Sequence, residues 1–325
     1  MYDVLCVGGA NIDVFVDTEN RLFQEEKKGK IHIPFGSKVL VKKIRFDTGG
    51  GGSNTAVAFS RFGLTTGFIG NVGDDENSRQ IVDALEKENV DTSMTVNRGH
   101  SGYSVILDAY EHDRTILVFK GSNNDFKYSD IDLKKLLKNK PKFFYFGTML
   151  ETAYKTQEKL AAFAQKNKIK VALNASTYLA AKGLHFVSAL FKNIDVLILN
   201  YEEAKLFTGQ SIVSKQMAKL HKSGPKIVCV TEGPKGAYCS NGFELYFVRA
   251  QKVRIVETTG AGDAFASGFI AGMIKNKPIG YCLQLGQVEA ESVISHMGAK
   301  EKLLSWKEIT NKINRKPPVV RKKNL

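Results

Sequence analysis

Residues 257–265 read Glu257-Thr258-Thr259-Gly260-Ala261-Gly262-Asp263-Ala264-Phe265. Val253–Val256 predicts an extended lead-in to this stretch, and Ala264–Ala271 predicts a helix after it. Between them Gly260, Ala261 and Gly262 carry almost no side chain, so backbone N–H groups can approach an anion closely. The helix N-terminus behind them adds partial positive charge. Asp263 sets one carboxylate beside the anion position. Such a pairing suits phosphoryl transfer: the cradle stabilises the moving phosphoryl group and the carboxylate takes a proton from the attacking hydroxyl. The same residues also read as a plain helix start, with Asp263 capping its own first turn. The stretch alone leaves both readings open.

Further clusters have types suited to ligands. Thr48–Ala56 is a second Gly-rich turn ahead of a helix. It lacks the Gly-Lys-Ser/Thr of a P-loop and the GxGxxG spacing of a dinucleotide fingerprint. Gly50 and Gly51 let a ligand lie on backbone, and Asn54 brings an amide to the helix start; a flexible loop with an Asn cap is the other reading. Asn11 and Asp13 follow the first strand and point the same way, where they can hydrogen-bond two sugar hydroxyls or form a turn. Asn200-Tyr201-Glu202-Glu203 is either a capping box or, through Asn200 and Glu203, part of a Mg²⁺–water and phosphate network. Thr231, Gly233 and Gly236 follow another apolar strand and form either a tight turn or a nucleotide-phosphate contact.

The elements that must position these residues alternate along the chain. Val4–Val7 reads as a short buried strand, and 66–70, 143–146, 170–173, 196–199 and 227–230 as further strands. Helices are expected over 54–62, 78–88, 131–139, 151–167, 201–207 and 213–222. Strands separated by helices imply an α/β fold, a parallel sheet with helices on both faces. Its ligands bind beyond the carboxyl ends of the strands. Ile31–Pro34, Lys38–Ile44, Tyr103–Leu107 and Arg114–Phe119 alternate apolar and polar residues instead, as half-exposed strands do. The expected division is a large α/β domain (1–14, 48–100 and 120–311), a small β lid (15–47 and 101–119) and a basic, disordered tail (312–325).

The chain has 325 residues, of which 43% are hydrophobic and 25% charged, with a net charge of +14. That is an ordinary globular composition. The basic residues are dispersed over 134–142, 166–170 and 215–226, and only the tail concentrates them, which argues against a nucleic-acid partner. A positive field attracts phosphorylated substrates equally well. Cys6, Cys229, Cys239 and Cys282 lack metal spacing, so buried free thiols in a reducing compartment are expected, and no structural zinc. Apolar runs such as Phe143–Phe146 are too short for a bilayer. The start, Met1–Val4, is acidic, unlike a secretory leader. A cytoplasmic location is the expectation.

In their order along the chain, Gly49–Ala56 with Gly63 and Gly73, Asn200-x-x-Glu203, Thr231-x-Gly233-x-x-Gly236 and Thr258–Asp263 resemble the motifs of the ribokinase-like (PfkB-type) carbohydrate kinase family, over roughly residues 3–305. The resemblance implies ATP-dependent phosphorylation of a small sugar, with a nucleoside or a sugar phosphate as alternative acceptors. It makes Asp263 the base and Gly260, Ala261 and Gly262 the anion hole. Asn200 and Glu203 would organise Mg²⁺ and phosphate, and Thr231, Gly233 and Gly236 would contact ATP, with adenine near Val288–Gly298. The sugar would be held by Asn11, Asp13, Gly50, Gly51 and Asn54, with Arg114 reaching substrate or phosphate from a lid that forms a dimer contact in many members. Members acting on ribose carry Lys where Gly51 stands and a substrate-binding Glu near Gly147, whereas Phe146-Gly147-Thr148 is similar to fructokinase-type members. Glu257 stands where the family usually has Asp at a monovalent-cation site, and its extra methylene predicts weakened or absent K⁺ activation.

Overall fold

The computed structural model describes residues 1–17, 35–108 and 114–324. The alternating stretch Ile31–Pro34 and the turn Glu111-His112-Asp113 lie outside the described residues.

The strands of the main sheet are predominantly apolar, as burial on both faces requires. β1 (Val4–Val7), β4 (Thr66–Ile69), β7 (Phe143–Gly147), β8 (Lys170–Asn174), β9 (Val196–Asn200) and β10 (Ile227–Thr231) pair in parallel. The sheet continues antiparallel through β11 (Gly236–Ser240), β12 (Glu244–Arg249) and β13 (Val320–Asn324), in the order β13-β12-β11-β10-β9-β8-β7-β1-β4. Alternation along each strand feeds two cores. Val4, Cys6 and Tyr145 face α1 (Gly51–Arg61), α2 (Glu76–Lys87), α9 (Ala261–Ile274), α10 (Ile279–Ile294) and α11 (Trp306–Arg315). Leu5, Val7, Phe144 and Phe146 face α3 (Leu133–Lys138), α4 (Glu151–Lys166), α5 (Thr177–Ala180), α6 (Gly183–Phe191), α7 (Tyr201–Thr208) and α8 (Val213–Lys222). All four cysteines are free and buried. No helix of the described residues is long and apolar enough to cross a membrane.

A second sheet of β3 (Lys43–Gly49), β2 (Asn11–Asp17), β5 (Gly102–Asp108) and β6 (Arg114–Phe119), in that order, lies beside the strand ends of the first. Only Gly8-Gly9-Ala10 separates β1 from β2, so the first strand of one sheet runs straight into the other. Asn11, Asp13, Ser104, Ile106, Ile116 and Val118 share the face toward a cavity. Ile44, Phe46 and Leu117 project from the opposite face and are exposed.

Several sequence expectations need correction. The small sheet begins at Asn11 rather than 15, and β3 occupies Lys43–Gly49, not Lys38–Ile44. Val253–Val256 forms no strand. The tail is ordered: Ser305 and Glu308 close a capping box on α11, whose Ile309 and Ile313 are buried, and β13 pairs with β12. Its charges read as disorder, but they are the exposed side chains of an edge strand, with Lys322 paired to Glu244 at 2.5 Å.

Candidate active site

A cavity of about 380 Å³ opens where the carboxyl ends of β7, β8, β9 and β10 meet the small sheet. Of the residues expected from sequence, Asn11, Asp13, Gly50, Gly51, Asn200, Glu203, Thr231, Gly262 and Asp263 all line it.

Asp263 is the third residue of α9, and its position depends on Gly260. That glycine has φ 79°, and a Cβ there would fall 2.6 Å from the Ala299 methyl, so both backbone and space demand glycine. Asn54 donates through Nδ2 to Asp263 Oδ2 at 3.0 Å, and Asn174 donates to Oδ1 at 3.4 Å. Burial raises the Asp263 carboxyl above its ordinary range, and these two amides oppose that rise. The carboxylate therefore engages residues of α1 and β8 rather than capping its own turn. The start of α1 lies equally close: a Cβ on Gly51 would sit 3.3 Å from Asp263 Oδ1. Two helix N-termini thus converge on one carboxylate, and their dipoles favour a negative ligand between them. Ala261 N–H is already donated to the Thr258 carbonyl at 3.3 Å. The N–H groups of Gly262 and Asp263 have no backbone acceptor among the described residues.

At the small-sheet end, Asn11 Nδ2 donates to Asp13 Oδ1 at 2.5 Å and to Ser104 Oγ at 3.0 Å. Asp13 is 7% exposed, and its carboxylate packs so tightly on Gly49 that no side chain fits there. Burial pushes the Asp13 carboxyl up to about 6, against hydrogen bonds from Ser104 and Asn11. At the other end, Asn200 N–H donates to Glu203 Oε2 at 2.8 Å, and Glu203 N–H donates to Asn200 Oδ1 at 2.9 Å. The capping box is therefore real, yet both residues still face the cavity. Burial also raises the Glu203 carboxyl. Glu203, Asn200 and Thr231 together offer the oxygen donors that suit the water shell of a hard divalent cation.

Other expected residues lie apart. Gly233 and Gly236 are off the cavity wall, Gly236 packing against the Val248 carbonyl. Val288 and Val293 are buried in the core, and 288–298 does not line the cavity. Arg114 opens β6, but its side chain is outside the described set. Glu257 Oε2 accepts from Gly298 N–H at 2.7 Å, while its Oε1 is buried without a partner. Sequence reasoning missed Asn174, Asn123 and Lys120. Asn123 accepts from Ala10 N–H at 2.9 Å and donates to the Ala10 carbonyl at 3.0 Å, fixing the link between β1 and β2. The available signal for Asn174 was an Asn ending an apolar strand, as Asn200 does.

A half-buried carboxylate held between two helix N-termini, at the strand ends of this sheet, fits a phosphotransferase that acts on hydroxyl groups. Residues 1–306 match the family of pfkB family carbohydrate kinases, and the chain belongs to that family. Members are phosphotransferases acting on sugar hydroxyls. The chain is 27% identical over 289 residues to the ribokinase of Haemophilus influenzae, covering 86% of this chain and 92% of that one. The structure of Arabidopsis thaliana ribokinase complexed with ribose and ATP is similar with a TM-score of 0.82 at 23% identity, over 95% of this chain and 98% of that one. Adenosine kinase from Sinorhizobium meliloti also reaches 0.82, at 19% identity, over 96% and 99%. These two structures show the ribokinase-like fold alone, and they share it across different acceptors.

Proposed function

We propose that this chain transfers the γ-phosphoryl group of ATP to a hydroxyl of a small sugar, with Asp263 as general base. The observation that carries the proposal is the placement of Asp263 in one cavity with Asn11 and Asp13 at one end and Asn200, Glu203 and Thr231 at the other. The sugar lies against Asn11, Asp13, Gly50 and Gly51. Asp263 accepts the proton as the sugar oxygen bonds to the γ-phosphorus and the bond to the ADP oxygen breaks. Asn54 orients the base. The Gly260–Gly262 turn, through the N–H groups of Gly262 and Asp263, holds the charge that develops on the phosphoryl oxygens. Asn200 and Glu203 organise the water shell of Mg²⁺, which supplies charge neutralisation when bound. Thr231, on the cavity wall, flanks the ATP phosphates. Four buried thiols suit a cytoplasmic setting.

The test is ADP release with Mg·ATP and a panel of ribose, fructose, 2-keto-3-deoxygluconate, common sugar phosphates, adenosine and cytidine, with Asp263→Asn alongside. A sugar responder is expected, with the variant below about a tenth of wild-type kcat, because general-base catalysis contributes roughly 10²–10⁴-fold. Turnover of nucleosides only would replace the sugar reading with a nucleoside kinase. A variant that keeps most of its kcat would remove Asp263 from the role of base.

A further inference from the structure

Lys120 follows β6, the lid strand that places Ile116 and Val118 over the cavity. Among the described residues lining that cavity it is the only cationic side chain; the carboxylates there are Asp13, Glu203 and Asp263. Its ammonium stands over the Tyr178 ring, 5.1 Å from the centroid. Burial lowers the ammonium pKa, and among the described residues no carboxylate forms an ion pair with it. A partly buried cation without a counter-ion is held at a cost, which stacking on an aromatic face offsets only in part. Ser176, two residues before Tyr178, also lines the cavity, and its buried hydroxyl has no hydrogen-bond partner. A bound anion would answer both groups.

Two places in the reaction could supply that anion: the transferring phosphoryl group, or a remote substituent of the acceptor. The phosphoryl group must lie beside Asp263, between the N-termini of α1 and α9, whereas Lys120 stands on Tyr178 just past the end of β6. The backbone of Lys120 instead belongs to the acceptor end. Its carbonyl accepts from Asn123 Nδ2 at 3.0 Å, and the same amide holds Ala10, next to Asn11. Resting on the kinase reading of this cavity, we propose that the acceptor carries an anionic group, a carboxylate or a phosphate, remote from the hydroxyl that is phosphorylated, and that Lys120 and Ser176 bind it. The substrate class is then a sugar acid or a sugar phosphate rather than a neutral sugar.

Calorimetric binding of fructose, fructose 6-phosphate and 2-keto-3-deoxygluconate to the full chain tests this directly, and each compound is also offered as acceptor with Mg·ATP. One of the two anionic ligands is expected to bind wild type about tenfold or more tightly than fructose, and which one does so separates phosphate from carboxylate. Lys120→Met is expected to lose about tenfold or more for that ligand, with fructose and ATP changed by no more than about twofold, and Lys120→Arg is expected to recover most of the loss. The proposal is overturned if neither anion binds, if fructose binds as tightly, or if the preference survives Lys120→Met. Loss of ATP affinity in that variant also overturns it, by placing the lysine on the donor phosphates. Anion binding that depends on Lys120 without any ADP release would leave the anion site at Lys120 standing and count against the kinase reading. Turnover of fructose alone would do the reverse.

Discussion

Burial raises the Asp263 carboxyl, and the amides of Asn54 and Asn174 oppose that rise, which favours the charged form needed for the proposed role as base. Asn174→Ala removes a donor that favours the charged form, so the pKa rises. The base works only when deprotonated, so the acid limb of kcat/KM moves to higher pH. The expected loss is up to roughly tenfold near pH 6 and shrinks toward pH 8.5, since hydrogen bonds to charged groups are worth about 1.5–3 kcal/mol and this one is long. A pH–rate profile checks it; an unmoved acid limb would show that Asn174 only fills space. Glu257 invites a second measurement. One of its oxygens is committed to Gly298 N–H, and we expect rates in K⁺ and Na⁺ to agree within about twofold. A large gain with K⁺ would show that the longer side chain still serves a cation. The place of Asp263 in the cavity was legible because it follows a small-residue turn at a helix start, and that of Asn11 and Asp13 because they follow the first apolar strand. Asn174 was not, because its partner lies 89 positions away, and Lys120 looked like one more dispersed basic residue.

Helices α1 and α9 deliver the Asp263 carboxylate and its surroundings, and α10 fixes α9 from behind. The α9–α10 contact is made by glycines: a Cβ on Gly268 would fall 2.8 Å from the Leu285 carbonyl oxygen, and one on Gly286 2.7 Å from that of Phe265. Backbone meets backbone there, and no side chain can bend away. Gly268→Ala is therefore expected to cost about 1–3 kcal/mol, as overpacking of a tight core does. Because the first turn of α9 carries Asp263, kcat should fall as well. A urea midpoint measured together with kcat tests both, and an unchanged midpoint would mean that the helices can part without penalty. Much of the alternation of strands and helices from 130 to 230 was readable because apolar runs are bounded by amphipathic helices, but α5 and α6 were not expected, since Gly183–Phe191 is itself largely apolar. The hairpin of β11 and β12 was not, since no helix separates those strands. β3 was misplaced because alternation begins before the residues that find a pairing partner.

The two sheets divide the work of the whole molecule: one holds the strand ends that carry Asn174, Asn200 and Thr231, and the other covers them. The covering sheet has a second face, with Phe46 65%, Leu117 57% and Ile44 49% exposed. Apolar residues grouped on a sheet face are a common association surface. We expect a homodimer through this face in sedimentation equilibrium, and dissociation on Phe46→Asp or Leu117→Lys. A monomeric wild type would leave the face to another role. The far edge of the large sheet has a different consequence. β13 covers β12 with Arg321, Lys322 and Lys323, the kind of charged strand that discourages further pairing. The family match ends at residue 306, so trimming the chain there would be a natural economy in the laboratory. It would bare β12, and bare strand edges stick to one another. The shortened protein would pass through a sizing column as a larger species and imitate the dimer expected through the small sheet for a reason unrelated to that sheet.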